Sequence, residues 1–154
     1  MDKRILISSD NIPKHVAVIM DGNGRWAKSK GMSRIFGHKN ALTAVRETIE
    51  AAAELGTEAI TLYAFSTENW NRPKLEINAL MSLLINSLNT ELNTFQKNEV
   101  KVNAIGNIES LPKSAQKILK EVINKTKKNQ KIVLTLALSY GAREEIVNTI
   151  KNIS

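Results

Sequence analysis

No cysteine occurs in the 154-residue chain, which excludes a disulfide scaffold and any thiolate chemistry and fits a reducing compartment. Aspartate is nearly as scarce. Only Asp2, Asp10 and Asp21 occur, the first two in a polar N-terminal leader, so no paired-aspartate motif exists to hold a metal cluster. Long apolar runs are absent too: Met1-Asp-Lys-Arg-Ile-Leu-Ile-Ser8 is too poor in apolar residues for a signal peptide, and no stretch approaches a membrane span. There is no G-x-x-x-x-G-K-[ST], which removes the ATP-binding P-loop. With two Trp, two Tyr and three Phe, most of them inside apolar runs, the exposed basic-aromatic surface expected of a nucleic-acid binder is not encoded. The expectation is a soluble, cytoplasmic protein of one domain over 1–154, with a disordered leader over 1–11.

What is present is positive charge, and it is placed unevenly. The formal net charge is +7. Between Gly22 and Arg46 there is no acid, while Arg25, Lys28, Lys30, Arg34, Lys39 and Arg46 all occur, with His38 among them. This field opens at Asp21-Gly22-Asn23-Gly24-Arg25-Trp26, directly after the apolar run His15–Met20. A strand followed at once by two glycines lets backbone N–H groups turn towards one point with no Cβ in the way, the outline of a phosphate site. Asp21 stands alone at its edge. Mg2+ takes one or two protein carboxylates and fills its octahedron with water and phosphate oxygens, so a metal here would need the substrate's diphosphate to help hold it. A second basic group, Lys113 to Lys131, lies on and after a helix whose apolar stripe runs from Leu111 to Ile123, and reads as a solvated surface.

Four apolar runs, about 15–20, 59–66, 100–106 and 131–139, read as strands separated by segments of helical period. Ala41–Leu55 stops at Gly56, a usual C-terminal cap, and Leu75–Phe95 carries a wide apolar stripe beginning just after Pro73. The β-α-β-α-β-α-β order predicts the α/β class, an open parallel sheet with helices on both faces. Ligands of such sheets sit beyond the carboxyl ends of the strands. Two loops there are unusual, Asp21–Trp26 and Ser66–Arg72. Both mix charge, amide and tryptophan, and they read as two walls of one crevice, although a tryptophan that merely caps the sheet end is the plainer alternative. Gly22-x-Gly24-x-x-Ala27 also fits a relaxed dinucleotide fingerprint, but weakly. An aspartate directly before the first glycine would repel a pyrophosphate, and the position about 20 residues on falls inside a helix instead of at a strand end.

The segments His15-Val-Ala-Val-Ile-Met-Asp-Gly-Asn-Gly-Arg-Trp-Ala27, Gly37-His38, Leu62-Tyr-Ala-Phe-Ser-Thr-Glu-Asn-Trp-Asn-Arg-Pro73 and Ser139-Tyr-Gly-Ala-Arg143 resemble, in order, the signatures of the cis-prenyltransferase family, its bacterial undecaprenyl diphosphate synthases in particular. The resemblance runs from about residue 12 to the end. It implies a transferase that condenses isopentenyl diphosphate with an allylic diphosphate, usually farnesyl, and so builds the long cis-polyprenyl carrier precursor of cell-wall synthesis. It implies Mg2+ as cofactor, a homodimer, and peripheral membrane contact through the lipid product. Carried over by motif, Asp21 is the catalytic carboxylate and metal ligand. Gly22, Asn23, Gly24 and Arg25 cradle the allylic diphosphate, and Arg34 and His38 complete its pocket; without the motif, a histidine in a basic helix reads equally well as a surface residue. Trp26, Ser66, Thr67, Glu68, Trp70 and Arg72 line the reacting ends. Asn69 is the catalytic residue the family places at proton removal; a neutral amide has no useful basicity, so it would orient a water or the diphosphate oxygen that takes the proton. The stripe from Ile77 to Phe95 reads either as plain core or as a wall of the tunnel for the growing chain.

Members of that family continue into a motif R-x-[SG]-G-E-x-R-x-S-N and a further metal-binding glutamate, neither of which occurs here. The chain accordingly reads as the N-terminal part of a catalytic domain, with its last strands and helices missing, and is expected to be inactive by itself. Ala142 stands where a second glycine is usual, a small departure. Two other readings remain in view: a non-catalytic homologue supporting an active partner subunit, and a nucleotide-cofactor enzyme of Rossmann type.

Overall fold

The computed structural model describes residues 11–153. Residues 1–10, where Asp2, Asp10 and nearly all of the expected leader fall, lie outside the described residues. The elements run β1 (His15–Ile19), α1 (Asn23–Ser29), α2 (Arg34–Leu55), β2 (Ala59–Ser66), α3 (Lys74–Lys97), β3 (Val100–Ile105), α4 (Lys113–Thr126), β4 (Ile132–Tyr140) and α5 (Ala142–Ile153), with 3₁₀ turns at Thr67–Asn71 and Ile108–Ser110. All strand pairs are parallel, in the order β1-β2-β4-β3. The architecture is the open parallel sheet flanked by helices that the alternating pattern predicts.

Register explains which residues are core. Val16, Ile60, Leu134 and Val102 align across the sheet, as do Val18, Leu62, Leu136 and Ala104 one step on. Apart from the half-buried Val16, these rows join one hydrophobic cluster with Ile49 and Ala52 of α2, Met81 and Leu88 of α3, and Leu119 and Val122 of α4. Fully burying an aliphatic side chain of this size contributes about 1.5–3 kcal/mol. On the strand positions in between, His15, Ala17, Lys101 and Asn103 are exposed.

β3 is an edge strand, and its outer backbone groups are covered. The Val102 N–H, which faces away from β4, donates to the fully buried Thr126 hydroxyl at 3.1 Å, and the Asn129 amide donates to the Val100 carbonyl at 2.8 Å. The end of α4 thus does for this edge what another strand would otherwise do.

Helix α2 begins seven residues before the apolar period at Ala41 suggests. Ser33 caps it, accepting from the Phe36 N–H at 3.2 Å, and its first turns carry Arg34 and His38 in place of core residues. Periodicity is silent where a helix face belongs to a site. Gly37, within those turns, is where α2 meets α1: a Cβ there would stand 2.9 Å from the Ala27 Cβ and would run into the Asn23 carbonyl.

Candidate functional site

The carboxyl ends of β1 and β2 open onto a cavity of about 520 Å³. Its polar end is made by Asp21, Asn23, His38, Ser66, Asn69 and Arg72. Its body is apolar, with Leu42, Val45 and Ile49 from α2, Leu84 and Leu88 from α3, and Leu62 and Leu136 from the sheet. Ile85, in the middle of the same α3 stripe, packs against the core instead, so the stripe divides between tunnel wall and core.

Gly22 makes the turn from strand to helix. Its φ of 91° is a conformation that costs a glycine nothing, and it lets α1 start two residues after Asp21. The Asp21 carboxylate accepts from the Gly22 N–H at 2.5 Å and from Arg25 Nη2 at 2.7 Å. Those two donors hold its pKa below the usual carboxylate range, and, open to solvent, it is ionised. Gly24 is buried and leaves room for Arg34: a Cβ there would lie 3.2 Å from the Arg34 Nε.

Charge at the polar end is organised by a residue that the sequence reading passed over. Glu76, in the first turn of α3, accepts from Arg72 Nη1 at 2.9 Å and from Arg34 Nε at 3.3 Å, and His38 Nε2 stands 3.9 Å away. Two guanidinium groups face one carboxylate, which leaves a surplus of positive charge beside the cavity. The His38 Nε2 is buried without a hydrogen-bond partner. Burial, reinforced by Arg72, pushes the His38 pKa below its ordinary value, so the ring is neutral at pH 7 and has a nitrogen to offer a ligand. The i,i+4 spacing of Arg72 and Glu76 was the one available signal for this hub.

The second loop is tied down from both sides. The Asn69 side-chain oxygen accepts from the Ser66 N–H at 3.2 Å, leaving its NH₂ as the group presented to the cavity. Trp70 packs edge-on to Phe65 with ring centroids 4.9 Å apart, and its Nε1–H donates to the Ser139 hydroxyl at 2.8 Å. The Ser110 hydroxyl, which donates to the Asn107 carbonyl, lies within hydrogen-bond distance of the same oxygen, at 2.8 Å. Ser139 falls at a register break, where Phe65 pairs with Leu138 and Ser66 with Tyr140, and it takes φ 48°. A non-glycine residue in that region stores on the order of 1–3 kcal/mol of strain. In the sequence Ser139 stands out as a serine inside an apolar strand and as the first residue of the Ser139–Arg143 signature, but neither shows its backbone conformation.

The expected site residues therefore divide by position. Asp21, Asn23, His38, Ser66, Asn69 and Arg72 meet at the cavity. Gly22, Gly24, Arg25 and Arg34 support it from behind through the contacts above. Trp70 is a buttress of the loop, and Thr67 packs under Gly141, where a Cβ would stand 2.5 Å from the Thr67 hydroxyl. Glu68 is exposed, its pKa lowered by its own backbone N–H and by the Ser66 hydroxyl. Trp26 stacks on Phe36, centroids 6.4 Å apart, on the outer surface of α1 and α2.

Comparison with known proteins adds the following. Residues 19–154 match the prenyltransferase family described as "Putative undecaprenyl diphosphate synthase". The chain is 52% identical over 142 residues to an isoprenyl transferase of Clostridium tetani, covering 92% of this chain and 56% of that protein. It is 46% identical over 150 residues to the ditrans,polycis-undecaprenyl-diphosphate synthase of Haemophilus influenzae, covering 97% of this chain and 63% of that protein. Among solved structures it is similar to a lavandulyl diphosphate synthase from Lavandula x intermedia in complex with dimethylallyl diphosphate, with TM-score 0.88, 32% identity, and 92% and 61% of the two chains covered. It is also similar to a probable undecaprenyl diphosphate synthase from Campylobacter jejuni, with TM-score 0.77, 35% identity, and 93% and 62% covered. The chain thus spans roughly three-fifths of the length of these relatives.

Proposed function

The chain belongs to the undecaprenyl diphosphate synthase family of prenyltransferases, and from that premise we propose that its cavity binds an allylic diphosphate, farnesyl in the first instance, for condensation with isopentenyl diphosphate into a long cis-polyprenyl diphosphate. One observation carries the reading. A single cavity joins a cationic end to an apolar body, which is the shape and chemistry of a prenyl diphosphate. In this reading Arg34 and Arg72 leave Glu76 in part to hold the diphosphate, and the unpartnered His38 Nε2 takes one of its oxygens. Asn69 directs its NH₂ at another oxygen. These donors stand where negative charge grows as diphosphate departs, the arrangement that lowers a barrier most. The proton lost on forming the new double bond passes to a diphosphate oxygen or to a water that Asn69 orients. None of these residues is assigned to the diphosphate of isopentenyl diphosphate.

The polar end also fits Mg2+. Asp21 is one ionised, solvent-open carboxylate, and among the described residues no group of three acidic or histidine side chains offers a complete metal cage. That donor set suits an ion that draws most of its ligands from water and phosphate. Bound there, Mg2+ would neutralise diphosphate charge.

Homodimerisation, action in the cytoplasm and peripheral membrane contact belong to the same proposal; no helix among the described residues is long and apolar enough to cross a membrane. The dinucleotide reading finds no support, since the position where its ribose-binding acid would fall lies within α2. A supporting-subunit role is disfavoured by the intact polar end.

The test is incorporation of labelled isopentenyl diphosphate by the protein expressed from its own gene, with farnesyl diphosphate and Mg2+. Asp21→Ala should lower turnover by about 10²- to 10³-fold, the usual effect of removing one such electrostatic group. Near-normal turnover of Asp21→Ala at saturating Mg2+ would overturn its role.

A further inference from the structure

At the far end of the cavity, Arg46 of α2 and Glu91 of α3 form a bidentate ion pair: Arg46 Nε donates to Glu91 Oε2 at 3.2 Å, and Arg46 Nη2 donates to Oε1. Both residues line the cavity, with the Glu91 side chain 19% exposed on the inner side of the pair and that of Arg46 49% exposed towards solvent. The pair spans the same two helices that Arg34 and Glu76 join at the polar end. Most of the apolar body, including Leu42, Val45, Leu84 and Leu88, therefore lies between two charged crossbars. Along α2 the distance from Arg34 to Arg46 is about 18 Å, and along α3 from Glu76 to Glu91 about 22 Å, at 1.5 Å per residue. Past the second crossbar the lining is mixed, with Glu50, Thr94 and Asn98 interleaved with Ile49 and Phe95.

A hydrocarbon tail lying in the apolar segment meets carboxylate and guanidinium groups at this point. To pass, it must strip water from a partly buried pair or part it, whereas each step before the pair buries methylene against leucine and valine. We propose that the Arg46–Glu91 pair is the length-determining element of this cavity, fixing how much of an apolar tail the apolar segment accepts before elongation must open α2 from α3. The inference rests on the prenyl diphosphate reading for its biological meaning, but it makes a physical claim about tail length that stands without catalysis.

The experiment measures binding of a homologous series of n-alkyl diphosphates to the gene product by calorimetry, and product length in the isopentenyl assay. In the native protein affinity should rise by up to about fourfold per added methylene, the conversion of about 0.8 kcal/mol per CH₂, and then flatten at one chain length. In the double variant Arg46→Met with Glu91→Met the rise should continue to longer tails, and products should lengthen. The charge swap Arg46→Glu with Glu91→Arg should return the break to its native place. If the double-methionine protein does not fold, Arg46→Gln with Glu91→Gln serves in its stead and should move the break in the same direction. A break that is absent, or that stays put when the pair is removed, overturns the inference. The two readings separate cleanly: a tail-length break or product lengths unmoved by either variant sink the crossbar alone, whereas a break that moves in a protein that does not bind farnesyl diphosphate sinks the prenyl reading alone.

Discussion

Replacing Gly37 by alanine pits two opposite effects against each other, and the geometry decides between them. In an ordinary helix interior, Gly→Ala stabilises by about 1 kcal/mol through helix propensity. At position 37 the added methyl would stand 2.8 Å from the Asn23 carbonyl carbon, nearer still to its oxygen, and 2.9 Å from the Ala27 Cβ. The nearest obstacle is backbone in the first turn of α1, so no side chain can swing aside. Overpacking of this kind costs about 1–3 kcal/mol, and a backbone obstacle places it at the upper end. The net is a loss of about 2 kcal/mol, which for a domain of this size corresponds to a fall in Tm of about 4–8 °C. The same shift carries α1 away from α2, and with it Asp21, Asn23 and the Gly24 notch that seats Arg34. Misplacement by about 1 Å can cost on the order of 10²-fold in rate, so diphosphate affinity and turnover should fall further than stability alone explains. Differential scanning calorimetry with and without pyrophosphate and Mg2+ reads both effects. An alanine variant with an unchanged or higher Tm would show that propensity wins and that the α1–α2 contact is soft.

Three further outcomes are expected. Because the folded-state pKa of His38 lies below its unfolded value, through burial first and Arg72 second, its neutral form favours the fold at pH above the unfolded value, and that contribution is lost as pH falls from about 6.5 towards the folded pKa; urea midpoints measured across that window should lose part of their slope in His38→Gln, and an unaltered slope would remove the argument. Thr126→Val takes from the Val102 N–H its acceptor at a fully buried site and should cost about 1–3 kcal/mol, with faster hydrogen exchange at Val102 as the local signature; native-like exchange there would contradict the edge-cap role. Leu88→Trp, in the middle of the apolar wall, should shorten both the preferred alkyl tail and the product, and a purely destabilised protein with native tail preference would return Leu88 to the core.

The strands were legible because each is a short, β-branched apolar run, and their bounds in the sequence and in the fold differ by a residue at most at either end. Helix α2 was legible only from Ala41, since its first two turns serve Arg34 and His38, and a polar face carries no apolar period. Asp21 and the two loops stood out by composition. Glu76 did not, because its importance lies in meeting Arg34 from 42 residues away, a pairing that no local pattern encodes. The same holds for Arg46 with Glu91 and for Ser139, whose backbone conformation is imposed by the register break between β2 and β4. The family motif places Trp26 and Trp70 at the reacting ends; in the fold Trp26 also stacks on Phe36 at the surface and Trp70 braces its loop against Ser139.

The order β1-β2-β4-β3 has a consequence for biosynthesis. As the chain leaves the ribosome, β1 and β2 can pair as soon as residue 66 is out, but β3 has no neighbour of its own: β4, made after it, must enter the gap between β2 and β3. Until about residue 140 has emerged, β2 has one open side, and β3 relies on α3 and α4 alone. Every long-range pairing of the central strand is thus deferred to a single late insertion, the sort of step that makes non-local parallel sheets slow to form and exposes their intermediates to association. Pausing in translation before β4 should therefore be the moment at which the nascent protein most needs a chaperone.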